Sequence, residues 1–406
     1  MNFKAIAMII MTVVWLYKLL LNIIQWRSAG HPTPANVADV YDRETYQTWR
    51  AYHAEKCRLG IAQNTVSFIV DILLILFNVF AAFAGLFPQT PFTQMFGVLL
   101  LSSLETVFLL PFFYYDTMVI EEKYGFNRST KKTFWLDQLK SAVIGLVVIL
   151  IMGSLLMGIH RALGNWLVPV FAAAMTLFAL AVSFLYPVFS KIFNKFTPLE
   201  DGELKEKLTG LLEKHGYRVR AIQVMDASKR STKSNAYFSG FGKMKTIVLY
   251  DTLIEAMTTD EICAVFAHEM GHGLHKDTLK NQLLAFAQML LLAVLAWLTL
   301  RSAELFVPFG FTGLNYGFAL LLITGVEFAL VAPLFGLLVN AFSRRAEYRA
   351  DAQAVQEGYG EALISALKKL ARENFSDLSP SPLLVKLEYS HPPLSQRIAA
   401  IEKQNA

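Results

Sequence analysis

Five residues, His268-Glu269-Met270-Gly271-His272, carry the clearest chemistry in this chain. Residues four apart on a helix share a face, so both imidazoles can point at one metal ion. Glu269, beside the first histidine, can reach a water molecule held by that ion. This is the H-E-x-x-H arrangement that suits zinc hydrolysis chemistry. A three-position match arises by chance on the order of once per hundred chains of this composition. The surroundings of the motif therefore decide its meaning.

Zinc needs a third protein ligand if one position is to stay open for water. Glu347 is the preferred candidate, in Ser343-Arg344-Arg345-Ala346-Glu347-Tyr348-Arg349-Ala350-Asp351. Glu347 and Asp351 are four apart and face the same way on a helix. One can ligate the metal, and the other can orient a ligating histidine through its free ring nitrogen. The three arginines of the segment would otherwise read as a solvated face. His275 reads as a polar residue near the helix end, and Cys263, off the metal face, as core.

A zinc ion at His268, His272 and Glu347 would polarise a scissile carbonyl, with Glu269 as general base. The developing oxyanion needs a further donor. His391, in Tyr389-Ser390-His391-Pro392-Pro393, is a candidate because the prolines would stiffen its loop. A peptide substrate must also be held extended. The strand Thr246–Tyr250 could be an edge that accepts it as an added strand, and Asn235 could bond its backbone; the plainer reading of Asn235 is a turn residue that begins a strand.

These residues need elements to hold them. Thr258 can cap the motif helix, and Glu261, three residues on, can reach back to complete a capping box. Leu204–His215 has helical periodicity and stops at Gly216. Val219–Met225 and Ala236–Phe241 read as strands, and Gly242-Lys243 makes a hairpin with Thr246–Tyr250 plausible. Ser343–Glu357 reads as a charged helix continuing from the last apolar span, Glu361–Glu373 as another helix, and Leu394–Lys403 as a short terminal one.

The rest of the chain is too apolar for an ordinary soluble protein: 54% of its 406 residues are hydrophobic and 17% charged, with a mean hydropathy of +0.41. Seven spans are expected: Phe3–Ile24, Thr65–Phe87, Phe96–Phe113, Ser141–Ile159, Trp166–Phe189, Leu283–Leu300 and Tyr316–Ala341. Residues 25–64 and 114–140 each carry five Lys/Arg, whereas 88–95 carries none and 160–165 and 301–316 carry one each. Positive-inside then puts the N-terminus outside and both 190–281 and the C-terminal region on the cytoplasmic side. Two cysteines without a C-x-x-C give no disulfide framework. No Lys/Arg run with interleaved aromatics points to nucleic acid. Lys18, Asp71, Glu105 and Glu327 fall inside the spans and hint at a hydrated space among the helices.

The chain resembles the integral-membrane zinc metallopeptidases of the CAAX prenyl protease 1 type, also called a-factor-converting proteases. The resemblance runs through Glu121–Asn127, Ile192–Leu199, Ser234–Phe238, His268–His272, Ser343–Asp351 and Ser390–Pro393. It implies a mainly α, polytopic membrane fold, with seven transmembrane helices forming a barrel around a water-filled chamber. A cytoplasmic α+β zincin-like domain would cap that chamber. It implies one zinc per chain on His268, His272 and Glu347, Glu269 as base, and Asp351 as an orienting group or proton donor. Asn235 and His391 become substrate or transition-state contacts.

The expected organisation is spans one to five over 1–189, the metalloprotease core over 190–281, spans six and seven over 282–341, and the C-terminal part of the protease over 342–406. The expected partners are the bilayer and a peptide or protein substrate, prenylated or not, with no nucleic acid; membrane-protein quality control is the other role such a protease could fill. A bacterial inner membrane is the favoured location, the endoplasmic reticulum if the source is eukaryotic. Two other classes compete. A channel or transporter would leave the histidine motif and Glu347 unexplained, and an inactive scaffold sits poorly with an intact Glu269.

Overall fold

In the computed structural model, residues 2–239 and 244–405 are described, side chains at 165, 183–189, 219–220, 238–239, 244–245 and 278 excepted. Among them, six helices are long and apolar enough to cross a membrane: Phe3–Ser28, Arg43–Leu76, Pro91–Glu121, Lys131–Leu163, Leu279–Leu300 and Tyr316–Gln356. A further apolar helix, Leu167–Phe193, occupies the place of the expected fifth span. Its described apolar part, Leu167–Val182, is shorter than the other six.

The helices bury little of their apolar surface. Only 6% of the most hydropathic stretch of Phe3–Ser28, and the same share of Arg43–Leu76, is buried. Leu20, Leu73, Leu139, Leu177, Leu334 and Leu338 all stand exposed. Contiguous apolar surface on this scale is stable only against lipid. The inward faces pack tightly, through Met95, Leu99, Leu156, Leu167, Phe306 and Phe318. Gly317 permits one close crossing, since a Cβ there would meet the Met95 carbonyl oxygen at 2.6 Å.

Several helices run beyond the expected spans. The polar, aromatic-punctuated sequence before span two is part of one helix, Arg43–Leu76, capped by Asp42, whose Oδ1 accepts from the Thr45 N–H at 2.7 Å. That helix ends before expected: Asn78 adopts φ +56° and a separate short helix, Val79–Ala84, follows. As expected, the last apolar span continues into the Ser343 segment, so Tyr316–Gln356 is a single run of 41 residues. The same run, which includes a π-helical turn at Leu322–Glu327 and Pro333, carries Glu347 beyond the apolar stretch.

The polar part folds around a four-stranded sheet of order β1-β2-β4-β3. The strands are β1 Phe196–Pro198, β2 Arg218–Met225, β3 Ala236–Ser239 and β4 Met244–Tyr250. β2 and β4 are parallel, and β1 and β3 flank them antiparallel. β1 is too short to show in the sequence. The β3–β4 pairing agrees with a hairpin, whose expected turn at Gly242-Lys243 lies outside the described residues. One expectation is overturned. Thr246–Tyr250 is not an edge, because β4 has a hydrogen-bonded neighbour on each side. The edge beside it is β3.

The motif helix spans Thr259–Leu274 and buries Ile262, Cys263, Phe266 and Met270 in one cluster with Ile222, Ile247 and Leu249 of the sheet and Leu208 and Leu212 of the helix Glu203–Lys214. Cys263 is thus core, as its position on the helix suggests. The capping box forms as expected. Glu261 Oε2 accepts from the Thr258 N–H at 2.8 Å, and the Thr258 hydroxyl accepts from the Glu261 N–H at 3.3 Å.

Candidate metal centre

Two helices make the site, and a glycine sets their distance. A Cβ on Gly271 would meet the Ala350 Cα at 2.9 Å and the Gln353 Cβ at 3.0 Å. The motif helix and the Tyr316–Gln356 helix therefore approach closely at the residue next to His272 and one turn from His268. At that crossing His268, His272 and Glu347 present ligand atoms that all lie within 4.8 Å of one another. His272 Nε2 is 3.3 Å from Glu347 Oε1, and His268 Nε2 is 3.5 Å from Glu347 Oε2.

Both imidazoles are backed by a carboxylate on the opposite ring nitrogen. His268 Nδ1 donates to Asp351 Oδ1 at 2.9 Å, and His272 Nδ1 donates to Asp277 Oδ2 at 3.2 Å. Such backing fixes the tautomer, turns Nε2 toward the shared space and raises its basicity. Asp351 is 1% exposed and is gripped by Arg397, whose Nη2 and Nε donate to its two oxygens at 2.6 and 2.9 Å. Asp277 is held by Arg349 and Lys280 at 2.7 and 3.1 Å. Burial opposes its ionisation, but Arg349, His272 and Lys280 together keep its carboxyl below the usual range.

The residues fit a metal. Glu347 is buried, and its Oε2 makes no hydrogen bond, although Arg397 Nη1 lies 3.3 Å away. A buried carboxylate oxygen left in that state costs free energy, and the two oxygens of Glu347 each face an imidazole nitrogen whose ring carries its proton on the other side. Two imidazoles and one carboxylate are a usual donor set for a catalytic zinc.

The other expected residues fall in different relations to this cluster. Glu269 is half-buried on the same helix, and among the described residues no side chain hydrogen-bonds its carboxylate. His391 is brought in from the C-terminal loop, with Nε2 3.3 Å from Glu347 Oε1 and Nδ1 2.8 Å from the Ser390 hydroxyl. Its side chain is 62% exposed, so it lines the open side of the cluster. Asn235 stands just before the edge strand β3. Its carbonyl accepts from the Tyr250 N–H at 3.1 Å, and its Oδ1 accepts from the Ala236 N–H at 2.8 Å. His275, as expected, ends the motif helix rather than joining the cluster.

Membrane-side residues pin the segment that leads into Asn235. Lys233 Nζ donates to Glu121 Oε2 at 3.0 Å and to the Tyr52 hydroxyl at 3.1 Å, and Ser231 pairs with Asn127 in an isolated bridge. This gives the Glu121–Asn127 segment a structural job. Sequence reasoning missed Asp277 and Arg397. Asp277 closes the motif stretch and is near enough in sequence to be suspected. Arg397 carries no local signal, because only the fold brings the terminal helix Leu394–Asn405 against Asp351.

Comparison with known proteins matches nearly the whole chain. Residues 22–195 match the family described as CAAX prenyl protease N-terminal, five membrane helices, and residues 198–405 match peptidase family M48. The CAAX prenyl protease 1 homolog of Arabidopsis thaliana is 33% identical over 417 residues, spanning 97% of this chain and 96% of that one. CAAX prenyl protease 1 of Saccharomyces cerevisiae is 32% identical, spanning 91% of this chain and 88% of the relative. The crystal structure of S. mikatae Ste24p superposes with a TM-score of 0.89 at 29% identity, covering 99% of both chains.

Proposed function

The chain belongs to peptidase family M48, as a membrane metallopeptidase of the CAAX prenyl protease 1 type, and we propose that it hydrolyses peptide bonds with one zinc ion on His268, His272 and Glu347. The observation that carries this is the buried, carboxylate-backed cluster, with its unbonded Glu347 oxygen. A zinc ion there would lower the pKa of a water molecule and polarise the scissile carbonyl. Glu269 takes the proton from the attacking water and returns it to the leaving amine.

His391 donates to the oxygen of the scissile carbonyl as charge develops on it. Its place on the exposed rim beside Glu347 supports that role. Asp351 and Asp277 orient the two imidazoles. For Asp351 this role is favoured over proton donation, because the carboxylate is buried behind His268 with both oxygens engaged. The substrate lies extended along β3, with Asn235 bonding its backbone at the start of that edge.

In this reading seven helices, Leu167–Phe193 included, surround a water-filled chamber. Asp71, Glu105 and the Glu327 side chain, which accepts from the Thr299 hydroxyl at 2.6 Å, would lie in its wet interior. The metal site closes the cytoplasmic end, and the protease parts are 190–281 and 342–406. A bacterial inner membrane fits the charge pattern and compact loops. The substrates are peptide or protein chains reaching the site from the bilayer, and farnesylated and unfarnesylated CAAX peptides are the pair to compare. A channel or transporter has no use for the two backed imidazoles. Glu269→Gln tests the proposal: it should keep zinc and lose cleavage.

A further inference from the structure

The Tyr316–Gln356 helix carries more than the third ligand. Asn340, Arg344, Glu347 and Asp351 follow one another at spacings of four, three and four, so they form one stripe along it. The upper two hold a different part of the chain. Arg344 Nη1 donates to the Val385 carbonyl at 2.9 Å and to the Tyr389 carbonyl at 2.7 Å. Asn340 Nδ2 donates to the Leu387 carbonyl at 3.0 Å. The three acceptors lie in the last turn of the short helix Pro382–Leu387 or just past it, where carbonyls lack intrahelical partners. A cation at a helix C-terminus is favourable there.

The segment held this way leads directly to His391. Two residues beyond Tyr389 the imidazole reaches back to the same helix, 3.3 Å from Glu347 Oε1. The buried Pro392 and Pro393 stiffen the far side of the loop. On the membrane side, the Tyr17 hydroxyl donates to Glu388 Oε1 at 2.9 Å. Among the described residues the guanidinium is the one group that bridges Val385 and Tyr389, and a lysine ammonium, a point donor, matches such a two-carbonyl grip less well.

We propose that Arg344 is a positioning residue for His391: it fixes the loop so that the imidazole is held at the height of Glu347, on the open side of the metal cluster. The proposal rests on the peptidase reading above and on the His391 role within it. Arg344 makes no contact with His268, His272 or Glu347 among the hydrogen bonds and ion pairs of the described residues, so its removal should leave the metal in place.

The test is a double-mutant cycle on the full chain in detergent, with a fluorogenic CAAX peptide as substrate and zinc measured in every sample. R344Q should lower kcat roughly 100-fold, the scale of a misplaced catalytic group, with zinc content as in wild type and KM changed less than about threefold. In an H391A background R344Q should cost nothing further, and R344K should recover part of the loss. N340A, which removes only the Leu387 tie, gives a milder step of the same kind and serves if R344Q does not fold. A wild-type rate for R344Q, equal losses with and without His391, or loss of zinc in step with activity would each overturn the proposal. So would a fully active H391A. None of these outcomes bears on whether the chain is a zinc peptidase, which has a separate readout: wild-type cleavage that does not depend on zinc would overturn it.

Discussion

Asp351 Oδ1 lies 2.9 Å from His268 Nδ1, and Arg397 donates to both oxygens of the same carboxylate. The carboxylate therefore fixes one tautomer of His268 and sends the Nε2 lone pair toward Glu347. Asp351→Asn keeps the shape but replaces the carboxylate by a weaker, neutral partner. Zinc affinity should fall about 10- to 100-fold, measured by competition with a chromogenic chelator. Unchanged affinity would mean that the Asp351 carboxylate does not tune the ligand.

Arg397 is the cation that makes this arrangement tolerable. It is 9% exposed and lies between Asp351 and Glu347. Arg397→Met would leave two buried carboxylates without their shared partner. Breaking a buried pair in this way costs about 3–5 kcal/mol. Thermal melting of the zinc-loaded protein in detergent should show a large drop, and an unchanged melting temperature would contradict the electrostatic role.

Gly271 sets the spacing of the two metal-bearing helices. Gly271→Ala places a methyl 2.9 Å from the Ala350 Cα, and backbone at that distance has to move. Overpacking of this kind costs about 1–3 kcal/mol. The variant should lose both stability and zinc, because the shift separates Glu347 from the histidines. Retention of zinc at wild-type affinity would show that the crossing has slack.

Glu261 links the motif helix to acid stability. Burial would raise its carboxyl, but Lys369, Ser365 and the Thr258 N–H outweigh this and hold it down at about 2. A carboxyl depressed in the folded state stabilises fully above its unfolded pKa of ~4.3, and the contribution fades as pH falls through the folded value. Glu261→Gln should therefore lower the melting temperature of metal-free protein at neutral pH. The gap to wild type should close as pH drops from that unfolded value toward 2. A gap independent of pH would assign the loss to shape alone.

Much of the site could be read from local spacing. His268, Glu269 and His272 share one helix, and the capping box of Thr258 and Glu261 announces where it begins. Glu347 was accessible because a zinc site demands a third ligand and the Glu347/Asp351 pair repeats the four-residue spacing. What the sequence hid depends on distant chain segments. Arg397 and Asp351 are 46 residues apart, and no periodicity links them. The edge strand is hidden for a related reason. Thr246–Tyr250 is the more regular apolar run, yet apolar regularity marks the strand flanked on both sides, and the true edge β3 is shorter. The continuous helix Arg43–Leu76 was hidden because its first half is polar and meets other protein segments, Trp49 and Tyr52 packing beside Phe375.

The most direct test of the whole account is peptide cleavage by Glu269→Gln, measured beside wild type on samples whose zinc content is known. Wild type should cleave a CAAX peptide with about one zinc bound per chain, and the variant should bind the same amount of zinc and leave the peptide intact. A variant that cleaves at the wild-type rate would contradict the assignment of Glu269 as the base on which the mechanism depends.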